Sequence, residues 1–145
     1  MSLKKKNILF LIFLTGLGLL GYLYRATNKR PNENNLTTKT EVRDKSQDLL
    51  TSFISDEALA NATYVEKTIE VEGVVKEVTF LNNRYTVILQ GSGEYMCIIC
   101  DMKNDQTQVV QKLAKGDSVI LKGICKGFLM DAILLNCVLL SQTNE

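Results

Sequence analysis

From Thr68 onward the spacing of apolar residues in this 145-residue chain changes from helical to a period near two, and five successive strand-like runs follow, each bounded by turn residues. A period of two places alternate side chains on opposite faces of a strand, so these runs commit the segment to a sheet with one face in a core. The first run, Thr68 to Phe80, carries Ile69, Val71, Gly73 and Val75 on one parity and Val74, Val78 and Phe80 on the other. Its buried face switches near Gly73, which predicts a bend or bulge there. Asn82-Asn83 makes a tight turn, after which Tyr85, Val87 and Leu89 alternate with Arg84, Thr86 and Gln90. Gly91-Ser92-Gly93 leads into a third strand, Tyr95 to about Asp101. Asp105 or Thr107 then caps a short helix carrying Val109, Val110 and Leu113, and Gly116 ends it. The fourth run, Ser118 to Lys126, sets Val119, Leu121, Gly123 and Cys125 on one side, and a turn at Gly127 to Asp131 opens the fifth, Ala132 to Leu140. That order, βββαββ, predicts a mainly β fold: a five-stranded Greek-key barrel of the OB type over residues 67–141.

Three different segments precede it. Over residues 41–66 the spacing of Leu49, Leu50, Phe53, Ile54, Ala58 and Ala62 approximates a helical stripe, with Asp44 or Ser46 as N-cap and a restart at Asp56 and Glu57. This predicts a short helical segment packing on the barrel. Residues 8–24 read ILFLIFLTGLGLLGYLY, without a charge, behind a basic tail of residues 1–7. Seventeen residues sit at the short end of what spans a bilayer, Tyr22 and Tyr24 suit its interface, and YLYRAT offers no small-residue cleavage site. A transmembrane anchor is therefore expected at residues 8–24, its N-terminus cytoplasmic because of Lys4, Lys5 and Lys6, and the domain extracytoplasmic. Residues 25–40, polar and holding the single proline, Pro31, read as a flexible linker.

Charge divides along the same line. Residues 1–40 hold seven Lys or Arg against Glu33 alone, a balance of +6, while the remainder holds ten against fifteen acids, a balance of −5. An acidic globule repels phosphate ligands overall. The chain has no histidine, which removes imidazole catalysis, Ser-His and Cys-His nucleophile pairs and most zinc sites. It also lacks a G-x-S-x-G, a phosphate-cradling glycine loop and a metal-type carboxylate cluster. No catalytic residue, cofactor or metal is expected, and the chain is not read as an enzyme.

The wording of four stretches, DEALANATYVEKTIEVEGVVKEV, MCIICDM, LAKGDSVILKGICKG and ILLNC, resembles the tRNA-anticodon-like (tRNA_anti-like) OB-fold family of small bacterial proteins, often set behind an N-terminal lipid or helix anchor. The likeness covers about residues 46 to 140, and KGDSVILKGICKG followed by ILLNC is its most specific part. It implies an OB fold and a cell-envelope setting. It supplies no substrate and no catalytic position to carry over.

Two sets of candidates remain. Cys97, Cys100, Cys125 and Cys137 could bind zinc or pair, but a C-x-x-C inside a strand points its sulfurs to opposite faces, and Cys125 to Cys137 across the last hairpin is the expected disulfide if one forms. Otherwise the four serve as small apolar core residues. Arg84, Tyr95, Lys126 and Phe128 stand where OB folds take ligands and are the candidate binding residues, against ordinary surface and barrel packing. The reading is a membrane-anchored, non-catalytic binding module of the envelope, facing a protein, a glycan or a small molecule. Single-stranded nucleic-acid binding is the first alternative, disfavoured by the acidic domain, and a thiol or zinc site is the second.

Overall fold

The computed structural model describes residues 15–20, 22 and 39–143, and the chain divides into two units, residues 1–33 and 34–145. In the first, residues 15–20 and 22 are helical and exposed. The rest of the expected anchor 8–24, the tail 1–7 and the linker 25–40 up to residue 38 lie outside the described residues. Among the described residues no helix is long and apolar enough to cross a membrane.

The second unit is built on one long strand. β2 (Thr68–Leu81) has Ile69, Val71 and Val75 in the core, and it bends at a register shift between Val75 and Glu77. The bulge leaves Lys76 out of the ladder, so the inward parity passes from Val75 to Val78 there and not at Gly73, the position expected to bend. Gly73 has a different reason to be glycine: a Cβ on it would meet Ser46 Oγ at 3.0 Å and Leu89 Cδ1 at 3.2 Å. β3 (Arg84–Gln90) returns antiparallel through Asn82-Asn83, both at positive φ as a two-residue hairpin requires.

β4 (Cys97–Met102) pairs with β3; a 3₁₀ turn at Asn104–Gln106 and the one-turn helix α3 (Thr107–Val110) follow. β5 (Ser118–Phe128) and β6 (Ala132–Thr143) form the last hairpin. β6 lies parallel to β4, and β5 pairs back onto the first half of β2, so the sheet closes on itself as β2-β3-β4-β6-β5-β2. This is a closed five-stranded barrel in the βββαββ order, and closure pairs most of the strand edges that would otherwise template aggregation.

Ahead of it come β1 (Val42–Lys45), α1 (Ser46–Ser55) and α2 (Glu57–Tyr64). The expected helical segment 41–66 thus begins with a strand. Val42 and Asp44 are half-buried while Arg43 and Lys45 are exposed, an alternation that suits the stretch of β2 edge, Ile69 to Glu72, that β3 does not reach. No side chain caps α1, so neither Asp44 nor Ser46 does so; Asp44 instead accepts a 2.7 Å bond from Tyr64 Oη, tying α2 to β1. Burial, then that carboxylate, raise the Tyr64 pKa and keep the phenol protonated.

Asp56 caps α2 by accepting from the Leu59 amide at 3.0 Å. That break restarts the helical phase, so the buried residues of α2 are Ala60 and Tyr64, and Ala58 and Ala62 face water. Leu49, Leu50 and Phe53 of α1 join Val71, Val87, Leu89, Ile98, Met102, Leu121 and Leu134 in one core.

Candidate ligand-binding face

In a strand wetted on one side, apolar and polar residues should alternate strictly; β3 and β4 do not obey. Val87, Ile88 and Leu89 are consecutive, as are Cys97, Ile98, Ile99 and Cys100. The inward parity is settled by burial: Val87 and Leu89 of β3, Ile98, Cys100 and Met102 of β4. Ile88 and Ile99 therefore point out of the barrel. Cross-strand pairing aligns Glu77, Ile88, Ile99 and Ile133 in one transverse row over β2, β3, β4 and β6. Beside it runs a second row, Thr79, Thr86 and Asp101, then Leu81 and Arg84; on the other side lie Gln90 and Cys97. The outer surface of the barrel thus carries an aliphatic band edged by hydroxyls and carboxylates.

Loops flank the band at its two ends. At the β2–β3 turn Phe80 and Leu81 are exposed, and the Phe80 ring meets Tyr85 at 4.5 Å between centroids. At the other end the β3–β4 and β5–β6 loops lie side by side, because the Cys97 amide donates to Asp131 Oδ1 at 2.8 Å. Tyr95, Leu129 and Met130 project there, 87%, 85% and 77% exposed. Met130 holds φ +115°, a strained conformation for a non-glycine residue.

The four candidate binding residues separate. Arg84 sits on this face with its guanidinium 2.8 Å from Asp101, and Tyr95 stands exposed in the β3–β4 loop. Lys126 and Phe128 lie elsewhere: Lys126 Nζ bonds both oxygens of Glu66 at 2.8 and 2.9 Å, and Phe128 stacks on Phe53 of α1 at 5.4 Å. Those two close the barrel against the helices. The row Ile88–Ile99–Ile133 is the feature sequence reasoning passed over, and the doubled apolar pairs in YTVILQ and CIIC were its signal.

All four cysteines are free and buried. The expected Cys125–Cys137 bridge is not formed, because the hairpin register puts Cys125 opposite Leu134, while Cys137 Sγ fills the space a Gly123 side chain would need, 2.5 Å from its Cβ position. Cys100 points inward on β4 and Cys97 outward, where Lys76 Nζ lies 3.3 Å from its sulfur. Burial raises the pKa of Cys125, and raises that of Cys137 further with Cys100 beside it, so both stay neutral thiols. Among the described residues no cluster of three or more potential ligands could hold a metal. In native buffer the three inward thiols, Cys100, Cys125 and Cys137, should therefore react with an aromatic disulfide reagent only at the rate of unfolding, and at once in denaturant; more than one fast-reacting thiol per chain in the native state would show that they are more accessible than their burial implies.

A cavity of about 360 Å³ lies between α1 and α2, lined by Thr51, Ser52, Ser55, Asp56, Leu59 and Tyr64 among others. Three of its hydroxyls donate to carbonyls of their own helices, Thr51 to Gln47 O, Ser52 to Asp48 O and Thr63 to Leu59 O.

The profile of the tRNA_anti-like family matches residues 1–139. No curated protein matches the chain. A lipoprotein from Klebsiella pneumoniae subsp. pneumoniae, proposed to bind nucleic acid, is similar in structure at 14% identity and a TM-score of 0.57, over 77% of this chain and 100% of that one. The asparaginyl-tRNA synthetase of Pyrococcus horikoshii is similar at 15% identity and a TM-score of 0.44, over 55% of this chain and 20% of the synthetase. At 14% identity the likeness to the lipoprotein is one of fold.

Proposed function

The chain belongs to the tRNA_anti-like family, and from that premise we propose that it is a membrane-anchored, non-catalytic OB-fold binding module whose barrel works on the extracytoplasmic side. Residues 8–24 hold it to the membrane, and the ligand seats on the outer face of β3 and β4. The observation that carries the binding half is the outward aliphatic row Ile88–Ile99–Ile133, half-buried at Ile88 and Ile99 and exposed at Ile133, on the face through which OB barrels take ligands. Support for the anchor is the uncharged run 8–24 between Lys6 and Arg25, together with the description of the Klebsiella neighbour as a lipoprotein.

A compartment-sensitive reporter fused after Glu145 tests the anchor. Activity outside the cytoplasm is expected; activity inside would overturn the extracytoplasmic reading. For the face, Ile99→Thr should leave the fold intact and weaken any ligand found for the protein, whereas Ile54→Thr, on the exposed side of α1, should not.

Single-stranded nucleic-acid binding is the second reading, favoured by what is proposed for that neighbour. It requires affinity for an oligonucleotide that falls steeply with salt, roughly one counterion per phosphate contact. Salt-independent or absent binding of oligo-dT would remove it.

A further inference from the structure

Resting on the reading of this face as the ligand site, we infer that its occupant is a short polypeptide segment carrying aliphatic side chains and a Lys or Arg, and not a nucleic-acid strand. Three observations lead there. The first is charge: Glu77 and Asp101 stand on the rows, Arg84 is already held at 2.8 Å by Asp101, and Lys76, at the bulge beside Cys97, is engaged by the Glu94 carbonyl at 3.1 Å and the Cys97 sulfur at 3.3 Å. A phosphodiester brings one negative charge per nucleotide and needs unpaired cations to receive it. Here it would meet an exposed carboxylate at Glu77, on a domain whose overall balance is −5.

The second is the shape of the centre. Bases and sugar rings are held by stacking on flat aromatic faces. The middle of this face is Ile88, Ile99 and Ile133, branched aliphatic groups that offer contact to Leu, Ile or Val side chains and no flat ring to a base. None of these row positions carries an aromatic ring: Phe80 and Tyr85 pair on the opposite parity near the β2–β3 turn, and Tyr95 lies in the β3–β4 loop.

The third is length. Four strands at about 4.8 Å spacing give roughly 14 Å from Glu77 to Ile133, the reach of about four extended residues. A segment crossing the strands can set two aliphatic side chains on the isoleucine band and place a basic group at Glu77. Thr79 and Thr86, alongside, offer hydroxyls to its backbone.

The test uses the full chain in lipid nanodiscs with its isoleucine δ-methyls labelled. Three probes are titrated: the capped peptide Lys-Ile-Lys-Ile-Lys-Ile, its Glu-for-Lys counterpart, and a twelve-nucleotide oligo-dT. The expected result is that the basic peptide shifts the methyls of Ile88, Ile99 and Ile133, the acidic peptide and oligo-dT do not, and Glu77→Gln weakens the basic peptide about threefold, the size of one exposed charge pair. Shifts at those methyls from oligo-dT alone would overturn the peptide assignment and leave the face standing. Shifts confined to other isoleucines would overturn the face itself. No shift from any probe would overturn the inference.

Discussion

Replacing Gly91 by alanine is expected to destabilise the barrel by about 3 kcal/mol, the upper end of what overpacking a tight site costs. Gly91 is buried where β3 leaves the barrel, and its own backbone is not in the left-handed region. The constraint is space: an added Cβ would stand 2.2 Å from Leu50 Cδ1 and 2.3 Å from the Met96 carbonyl oxygen. Leu50 could rotate, but the carbonyl belongs to the loop that launches β4 and cannot move without shifting the ladder. Gly91→Ala should therefore lower the urea midpoint, followed by far-UV circular dichroism, and Leu50→Ala added to it should not restore it. Gly93, two residues on, separates space from conformation: it holds φ +76° with nothing near its Cβ position. Gly93→Ala should cost only about 1 kcal/mol, the penalty of a left-handed non-glycine residue. Equal effects at the two positions would defeat the steric argument.

Glu70→Ala is expected to cost about 3 kcal/mol for an electrostatic reason. Glu70 and Lys122 are cross-strand partners on β2 and β5, each 5% exposed, with Lys122 Nζ 3.9 Å from Glu70 Oε1. The carboxylate also accepts from the Thr40 hydroxyl and, at 2.7 Å, from Arg43 Nε, so it joins the entry to β1 with two barrel strands. Removing it leaves the Lys122 ammonium buried without a counter-charge; Arg43, largely exposed, turns to water. Lys122→Met combined with Glu70→Leu should recover most of the loss, since an apolar pair of similar volume needs no charge compensation.

The same carboxylate makes stability depend on pH. The Thr40 hydroxyl first, then Arg43 and Lys122, hold the Glu70 pKa below its ordinary value against the opposing effect of burial. A depressed folded-state pKa contributes stability that is fully present above the unfolded value, about 4.3, and is lost as pH falls through the folded one. The urea midpoint of the native chain should drop below about pH 4.5, and Glu70→Gln should flatten that drop while lowering the plateau. An unchanged acid limb in Glu70→Gln would place the pH dependence on other carboxylates.

What the sequence determined by itself is what depends on neighbours in the chain. Five period-two runs, the Asn82-Asn83 hairpin and a helix between the third and fourth strands are short-range patterns, and with them came the barrel and its order. Tertiary pairing decided the rest. Val42–Lys45 is a strand only because β2 offers an edge there, and α2 buries Ala60 and Tyr64 because Asp56 resets the helical phase. The bulge falls at Lys76, where β2 exchanges β5 for β3, and not at Gly73. Hairpin register keeps Cys125 and Cys137 apart, and the Phe53 ring draws Phe128 away from the outer surface. The candidate face belongs to the same class: Ile88 and Ile99 become one aliphatic row with Ile133 only when β4 pairs in parallel with β6, a contact between segments more than thirty residues apart that no local pattern encodes.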